Sequence, residues 1–354
     1  YLSLENIRNA NDRVLKHIDK ITKYFNKSSL CHTSSDGSKY TIDGDSLNAN
    51  YSFKYHGSGH GVASYTFLND RFAHFYATVI SSSEREACYV LDGLMNNHII
   101  KSDVHSTDSH GFTEAIFGLM SLMQITFAPR LKNLSQHTLY GYKSIKIAKD
   151  AAIKPKKPLK LDLIKNNWDD ILRFAATIKL KYASSSQLFK RLNSYSKQHV
   201  LYKALKEFGR LQKSLFILQY LQDIEFRRSI EKQVNRGENS NKFSKAIAFA
   251  NNQELFFEDK SDQDIAENCR QLIKNTIILW NYLFLVKTLL SPDPDKSEYA
   301  LKTLQAGNVL AWRHILFHGE YDLTKEMTSD EFELMDPKIM TKISTRFWEN
   351  QNTN

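Results

Sequence analysis

The feature that most constrains the fold of this chain is a change of texture near Gly141. From Leu30 to Ala128 the apolar residues fall in short β-branched and aromatic runs, Lys39–Ile42, Tyr51–Tyr55, Val62–Phe67 and Phe72–Ile80, parted by Gly, Asp and Ser. Runs of this length and make-up predict strands. Glu84–Asn97 and Phe112–Met123 then carry helical spacing, with strands expected at Asp103–Thr107 and Gln124–Ala128. Past Gly141 the pattern is almost wholly helical: Trp168–Leu180, Ser186–Asn193, His199–Leu221, Ile224–Val234, Asn239–Asn251 and Ala266–Leu290. The prolines of Lys154-Pro155-Lys156-Lys157-Pro158 prevent one continuous helix across the transition. Ahead of the strands, Ile7, Val14, Leu15, Ile18, Ile21 and Phe25 share one face of an amphipathic helix over 4–26. A mixed α/β core with much added helix follows, and only 13 Gly and 6 Pro in 354 residues fit that balance.

Charge divides the chain in a second way. Residues 142–245 hold 24 Lys/Arg against 9 Asp/Glu, while the rest holds 24 against 30. A basic block beside an acidic remainder suits a polyanion binder with a separate acidic site, and a solvated helical surface suits the same numbers equally well. The longest apolar run, near Thr276–Val286, is about half of what a bilayer span needs and is interrupted by Asn281. No membrane is expected as a partner. Cys31, Cys88 and Cys269 are odd in number and far apart, which points to a reducing, cytoplasmic compartment. The first residues carry no signal-peptide pattern and no initiator Met, so the chain is expected to be part of a longer protein.

Three acids stand out by context: Asp36 in Ser34-Ser35-Asp36-Gly37, Asp108 in Thr107-Asp108-Ser109-His110-Gly111, and Glu238 in Asn235-Arg236-Gly237-Glu238. Singly, each has an ordinary role as turn residue, helix cap or first-turn acid. Together, at one edge of a mixed sheet, they could hold two hard divalent cations for an in-line phosphoryl displacement, chemistry that requires oxygen ligands. The pairs His56/His60 and His105/His110 lack further ligands at zinc spacing and read as loop or supporting histidines. Neither a nucleophile elbow nor a Walker-type lysine loop is present.

Ten segments in order resemble the C-terminal catalytic part of the Tn-three family of transposases, which move bacterial DNA transposons replicatively. They are Ser34–Gly37, His56–Val62, Tyr89–Leu94, Thr107–Glu114, Phe127–Arg130, Trp168–Arg173, Glu207–Arg210, Asn235–Glu238, Leu279–Asn281 and Trp312–Ile315. The resemblance runs to about Tyr321 and departs from the family where Ser38 and Lys39 stand in place of Gln and Arg. It implies an RNase H-like mixed sheet with flanking helices, interrupted by a large all-helical insertion. The division it implies is an N-terminal helix over 1–28, a first core part over 29–145, a basic insertion over 146–225, a second core part with Glu238 over 226–300, and a tail over 301–354.

It also implies that Asp36, Asp108 and Glu238 are the catalytic and metal-binding triad, separated by 72 and 130 residues. They would hold two Mg²⁺ ions, for which Mn²⁺ substitutes. Arg130, Lys190, Arg191, Arg210 and Arg236 are the expected DNA contacts. The implied activity is 3′-end cleavage and strand transfer on transposon terminal inverted repeats and target DNA, by a homodimer of the full-length protein in the bacterial cytoplasm. The family's upstream DNA-recognition regions are not among these residues, so autonomous activity of this stretch is not expected. Two other readings stay open: a catalytically silent DNA-binding or assembly module, and an RNase H-like nuclease that only hydrolyses.

Overall fold

A computed structural model describes residues 3–25, 30–42, 46–51, 59–109, 111–142, 153–194, 199–249, 257–320, 322 and 324. The chain divides into two compact units. One comprises residues 1–29, 38–82 and 238–354, the other residues 30–37 and 83–237.

In the first unit, helix α1 (Leu4–Lys23) starts where the Ser3 hydroxyl accepts the Asn6 N–H and buries Ile7, Leu15, Ile18 and Ile21 along one face. Strand β1 (His32–Ile42) contributes its last residues here, beside β2 (Asn50–Tyr51), β3 (His60–Asn69) and β4 (His74–Ser81), in the order β2-β3-β1 with β4 also paired to β3. β3 and β4 form an antiparallel hairpin, and the Asn69 side-chain oxygen closes its turn by accepting the N–H groups of Arg71 and Ala73, both at 2.9 Å. Ten-residue β3 is buried on both faces from Gly61 onward, so its apolar residues run almost without alternation.

The inner face of the long helix Lys260–Leu289 is polar. Arg270 is held by Glu267 at 2.7 Å and lies over the Tyr40 ring at 4.5 Å; Lys274 donates to the Ser244 hydroxyl at 2.9 Å; and Asn275 bonds Asn11 and both backbone groups of His74. Burial pushes the Lys274 ammonium down to about 8. The helix Pro294–Ala306 then begins with Asp293 capping Asp295 and Lys296, and ends at Gly307 with φ 67°.

In the second unit the order is β1-β5-β6, all parallel, with β5 (Val104–Thr107) and β6 (Thr126–Phe127) joined through a crossover helix. In chain order the helices here are α2 (Val90–Met95), α3 (Glu114–Leu122, the crossover), α4 (Leu161–Asn166), α5 (Trp168–Lys179), α6 (Ser185–Ser194), α7 (Val200–Gln222) and α8 (Ile224–Ile247), whose last ten residues fall in the first unit; the helices Lys260–Leu289 and Pro294–Ala306 are α9 and α10. A short two-stranded pairing joins β7 (Tyr140–Gly141) to β8 (Lys157–Pro158). α3 packs on α7 through two glycines, and Gly209 approaches the Glu114 carbonyl so closely that a Cβ there would lie 1.5 Å from its oxygen. Asp92, from the Leu91-Asp92-Gly93 segment, caps α6 from a distance by accepting the Ser185 N–H at 2.6 Å.

Two sequence expectations change. Ile224–Val234 and Asn239–Asn251 are not separate helices, since α8 is continuous over Ile224–Ile247 through Asn235 and Gly237. The intrinsic cost of glycine in a helix, about 1 kcal/mol relative to Ala, is accepted where a helix approaches another backbone closely. β1 begins at His32 rather than Lys39, so Asp36-Gly37 lies inside a strand and not in a turn. The expected strand over Tyr51–Tyr55 is described only at Tyr51, because 52–58 lie outside the described residues, as does most of the tail beyond Glu320.

Candidate active site

The polar start of β1 is buried by pairing with β5. Thr33 and Ser35 point their hydroxyls at the two nitrogens of His105, at 2.8 and 3.0 Å, and His32 meets the Ser106 hydroxyl at 2.8 Å. Burial holds His105 at about 3, and burial together with the Arg236 charge holds His32 at about 4, so both rings are neutral struts at neutral pH. This ladder fixes the register His32↔Val104 through Ser35↔Thr107.

Asp36 and Asp108 are each the next residue after the last registered pair, on adjacent strands whose spacing is about 4.8 Å. The Asp36 carboxylate accepts the Gly37 N–H at 3.0 Å, and the Asp108 carboxylate accepts the Gly111 N–H at 3.2 Å in the turn leading to α3. Thr113, not Asp108, caps α3. Asp36 therefore serves as neither turn nor cap residue, whereas Asp108 holds the turn through Gly111 without capping the helix.

α8 is drawn onto this edge at Gly237. A Cβ at Gly237 would lie 3.5 Å from the Asp36 Cβ, and one turn earlier Gln233 exchanges hydrogen bonds with Ser34 at 3.1 and 3.3 Å. Arg236 in turn donates to the Gln233 side-chain oxygen at 3.1 Å. Glu238 is the next residue along the helix and is exposed. Glu86, which the sequence did not single out, lies against the strand beside Asp36: a Cβ on Gly37 would fall 2.0 Å from its carboxylate oxygen. Only the glycine makes room for it, and nothing local in the sequence announces a partner 49 residues away.

The donors at this edge are all carboxylate oxygens, the set that hard divalent cations take. Among the described residues no three His, Cys, Asp or Glu side chains already converge on a point that could hold a metal ion. The structure thus brings Asp36 and Asp108 side by side and places Glu238 one residue beyond the contact with Asp36. Of the two histidine pairs read as loop or supporting residues, His105 supports β1, while His56 and His110 lie outside the described residues.

The expected DNA contacts are spread along the second unit and mostly engaged within the chain. Arg130 follows β6, its N–H bonded to the Thr107 carbonyl at 2.9 Å and its guanidinium 3.6 Å from Glu231. Lys190 pairs with Glu84 at 2.5 Å, and Arg210 with Glu114 at 3.0 Å and Glu207 at 2.7 Å. Arg191 is exposed on α6. Among the described residues no helix is long and apolar enough to cross a membrane.

Comparison with known proteins bears on this geometry. The family model for the Tn3 transposase DDE domain matches residues 1–321. The transposase for transposon Tn1546 of Enterococcus faecium is 34% identical over 296 residues, 83% of this chain and 30% of that protein. The transposase for transposon Tn3926 of Escherichia coli is 32% identical across 82% of the chain and 29% of its own length, and that for transposon gamma-delta of Escherichia coli (strain K12) is 28% identical across 88% and 31%. The chain spans about 30% of the length of these curated relatives. With a match over nearly its whole length, and with two of the three acids of the expected triad set side by side on parallel strands, this chain belongs to the Tn3 transposase DDE domain family.

Proposed function

We propose that this chain is the catalytic region of a DNA transposase, a polynucleotidyl transferase that cleaves the 3′ ends of a transposon and joins them to target DNA. The observation that carries the reading is the placement of Asp36 and Asp108 at one level of adjacent parallel strands, with α8 seated on Asp36 at Gly237. In this reading the sheet is RNase H-like, and the helices between β6 and α8 are an insertion that carries the basic block.

Asp36, Asp108 and Glu238 would hold two Mg²⁺ ions, with Mn²⁺ as a substitute, because their carboxylates supply hard oxygen donors. Bound in pairs, such ions activate the attacking oxygen and offset charge on the leaving one. The chain's own residues supply the positioning. The Gly37 and Gly111 N–H groups each hold one carboxylate oxygen, of Asp36 and Asp108 respectively, and so steady the two acids. The His105 ladder keeps the two strands in register, and the Ser34–Gln233 exchange fixes the rotation of α8 about its axis, hence where Glu238 points. Arg236 and Arg130 are suited to the phosphates flanking the reacting one. The partners in this reading are the terminal inverted repeats and target DNA, bound by a homodimer of the full-length protein in the bacterial cytoplasm.

The test is a strand-transfer assay with the full-length protein and pre-nicked transposon ends, scoring joined and cleaved strands separately. Joined strands with the wild type, and neither product with D36N, D108N or E238Q, support the proposal. Cleaved strands alone identify a hydrolytic nuclease, DNA binding without either product identifies an assembly module, and joining by any single variant removes that residue from the triad.

A further inference from the structure

We infer that the cleft between the start of α4 and the first half of α7 seats the DNA backbone next to the reacting phosphate, with Arg85, Lys160 and Lys203 as its phosphate ligands. The inference rests on the proposed DNA chemistry and adds to it a place and a set of residues. The cleft has a volume of about 620 Å³ and is lined by five cationic side chains, by Tyr202 and by one acid, Glu207.

Two of the cations are already answered. Arg210 pairs with Glu114 and Glu207, and Lys206 lies 3.7 Å from Glu114. Glu207 also accepts the Lys160 N–H at 2.9 Å, which fixes the entry of α4 against α7. These acids hold the wall together. Arg85, Lys160 and Lys203 have no ion pair among the described residues, and all three are exposed. Three unmatched cations along one concave wall call for an anion with several charges in a row, and a nucleic-acid strand offers one every 3.4 Å of helix axis. Tyr202 adds a ring among these cations, against which a sugar or base can lie.

The position of the cleft makes the substrate strand the occupant favoured over an unrelated polyanion. Arg85 is bonded in the chain to Glu86, whose carboxylate lies against Gly37 beside Asp36. On the other side, Glu114, which anchors Lys206 and Arg210, opens the helix that follows the Asp108 turn. Both walls of the cleft therefore run directly into the two strands that carry the acids. A strand whose reacting phosphate sits at Asp36 and Asp108 would run its flanking phosphates toward these cations.

The experiment compares the 354-residue chain with R85A/K160A/K203A and with a control of equal charge change on α1, K16A/K20A/K23A. Affinity for a fluorescent 30-base-pair duplex is measured across a sodium chloride series. Each phosphate contact contributes about 0.9 to the slope of log affinity against log salt, so the cleft variant is expected to lose about 2.7 from the slope and the control none. A second arm replaces Tyr202 with a photo-crosslinking phenylalanine in the full-length protein, which is expected to mark nucleotides within a few positions of the cleaved bond. A wild-type slope retained by the cleft variant, or crosslinks only to distant nucleotides, overturns the cleft assignment and leaves the proposed function standing. Absence of salt-dependent DNA binding by the wild type overturns both. Competition by polyglutamate as strong as by DNA, equally lost in the cleft variant, reassigns the cleft to acidic protein segments.

Discussion

Two helical glycines that look alike in sequence are expected to respond in opposite ways to alanine. Gly209 lies within α7 and Gly237 within α8, so helix propensity alone favours alanine by about 1 kcal/mol at both. At Gly237 a methyl meets the Asp36 Cβ at 3.5 Å, an ordinary van der Waals distance, and the gain is kept. At Gly209 the methyl falls 1.5 Å from the Glu114 carbonyl oxygen and 2.4 Å from its carbon. Contacts below 3.0 Å do not persist, so α7 and α3 must part by at least about 1.5 Å, and both clashing atoms are backbone with no rotamer to yield. At the same crossing a Cβ on Gly118 would lie 3.3 Å from the Gly209 nitrogen, so separation also loosens Phe117 against Phe216. Overpacking of this kind costs about 3 kcal/mol at the upper end of its usual range, and less the propensity gain leaves about 2 kcal/mol, roughly a 30-fold loss in the folding constant. Urea unfolding followed by far-ultraviolet circular dichroism checks this. G237A is expected at or above the wild-type midpoint and G209A well below it, with faster hydrogen exchange over residues 114–122. A G209A midpoint at the wild-type value would refute the close approach of α3 and α7.

Further outcomes follow from the same structure. R270A is expected to destabilise the chain by about 3–5 kcal/mol, because it removes the buried guanidinium paired with Glu267, and E267Q in the same urea assay should cost at least as much, because it leaves both Arg270 and Lys274 buried without their carboxylate. His105 and His32 titrate far below an unfolded histidine, so between pH 6.5 and about 3 the unfolded chain binds the extra protons. Their contribution to stability is therefore complete above pH 6.5 and lost as pH falls through about 4 and 3; the urea midpoint should be flat from pH 7 to 7.5, below the range in which Lys274 titrates, and decline steadily toward pH 4. D92A removes the acceptor for Ser185 at the start of α6 and is expected to cost about 1–2 kcal/mol, with proteolysis appearing first near residues 185–194.

What the sequence disclosed was what local pattern controls. The amphipathic face of α1, the β3–β4 hairpin and the helical spacing of α5 and α7 depend on residues close in the chain, and each falls within a few residues of its expected bounds. The start of β1 did not show, because His32-Thr33-Ser34-Ser35-Asp36 has no apolar alternation; it is a strand because His105, Ser102 and Ser106 satisfy its polar groups about 70 residues away. The polar inner face of α9 has no local signal either: Glu267, Arg270, Gln271 and Lys274 are buried because Tyr40, His74 and Ser244, distant in the chain, lie opposite. Asp36 and Asp108 were legible as residues, but their adjacency depends on a parallel register that no local signal carries. Glu86 and the paired state of Arg210 were hidden by the same kind of distance.

Because α8 passes through Gly237 without a break, the segment from Gln233 to Glu238 behaves as a gauge of fixed length and phase. Each residue advances a helix by 1.5 Å and turns it by about 100°. Inserting or deleting a single residue between the Gln233 contact with Ser34 and Glu238 would leave one end seated and swing the other to a different side of the helix. Substitutions on the outward side of α8 can accumulate without disturbing the acid, but its count of residues cannot change. A change of spacing in this stretch, in any chain built on the same plan, should therefore mark a protein that does not use the third acid of the proposed triad.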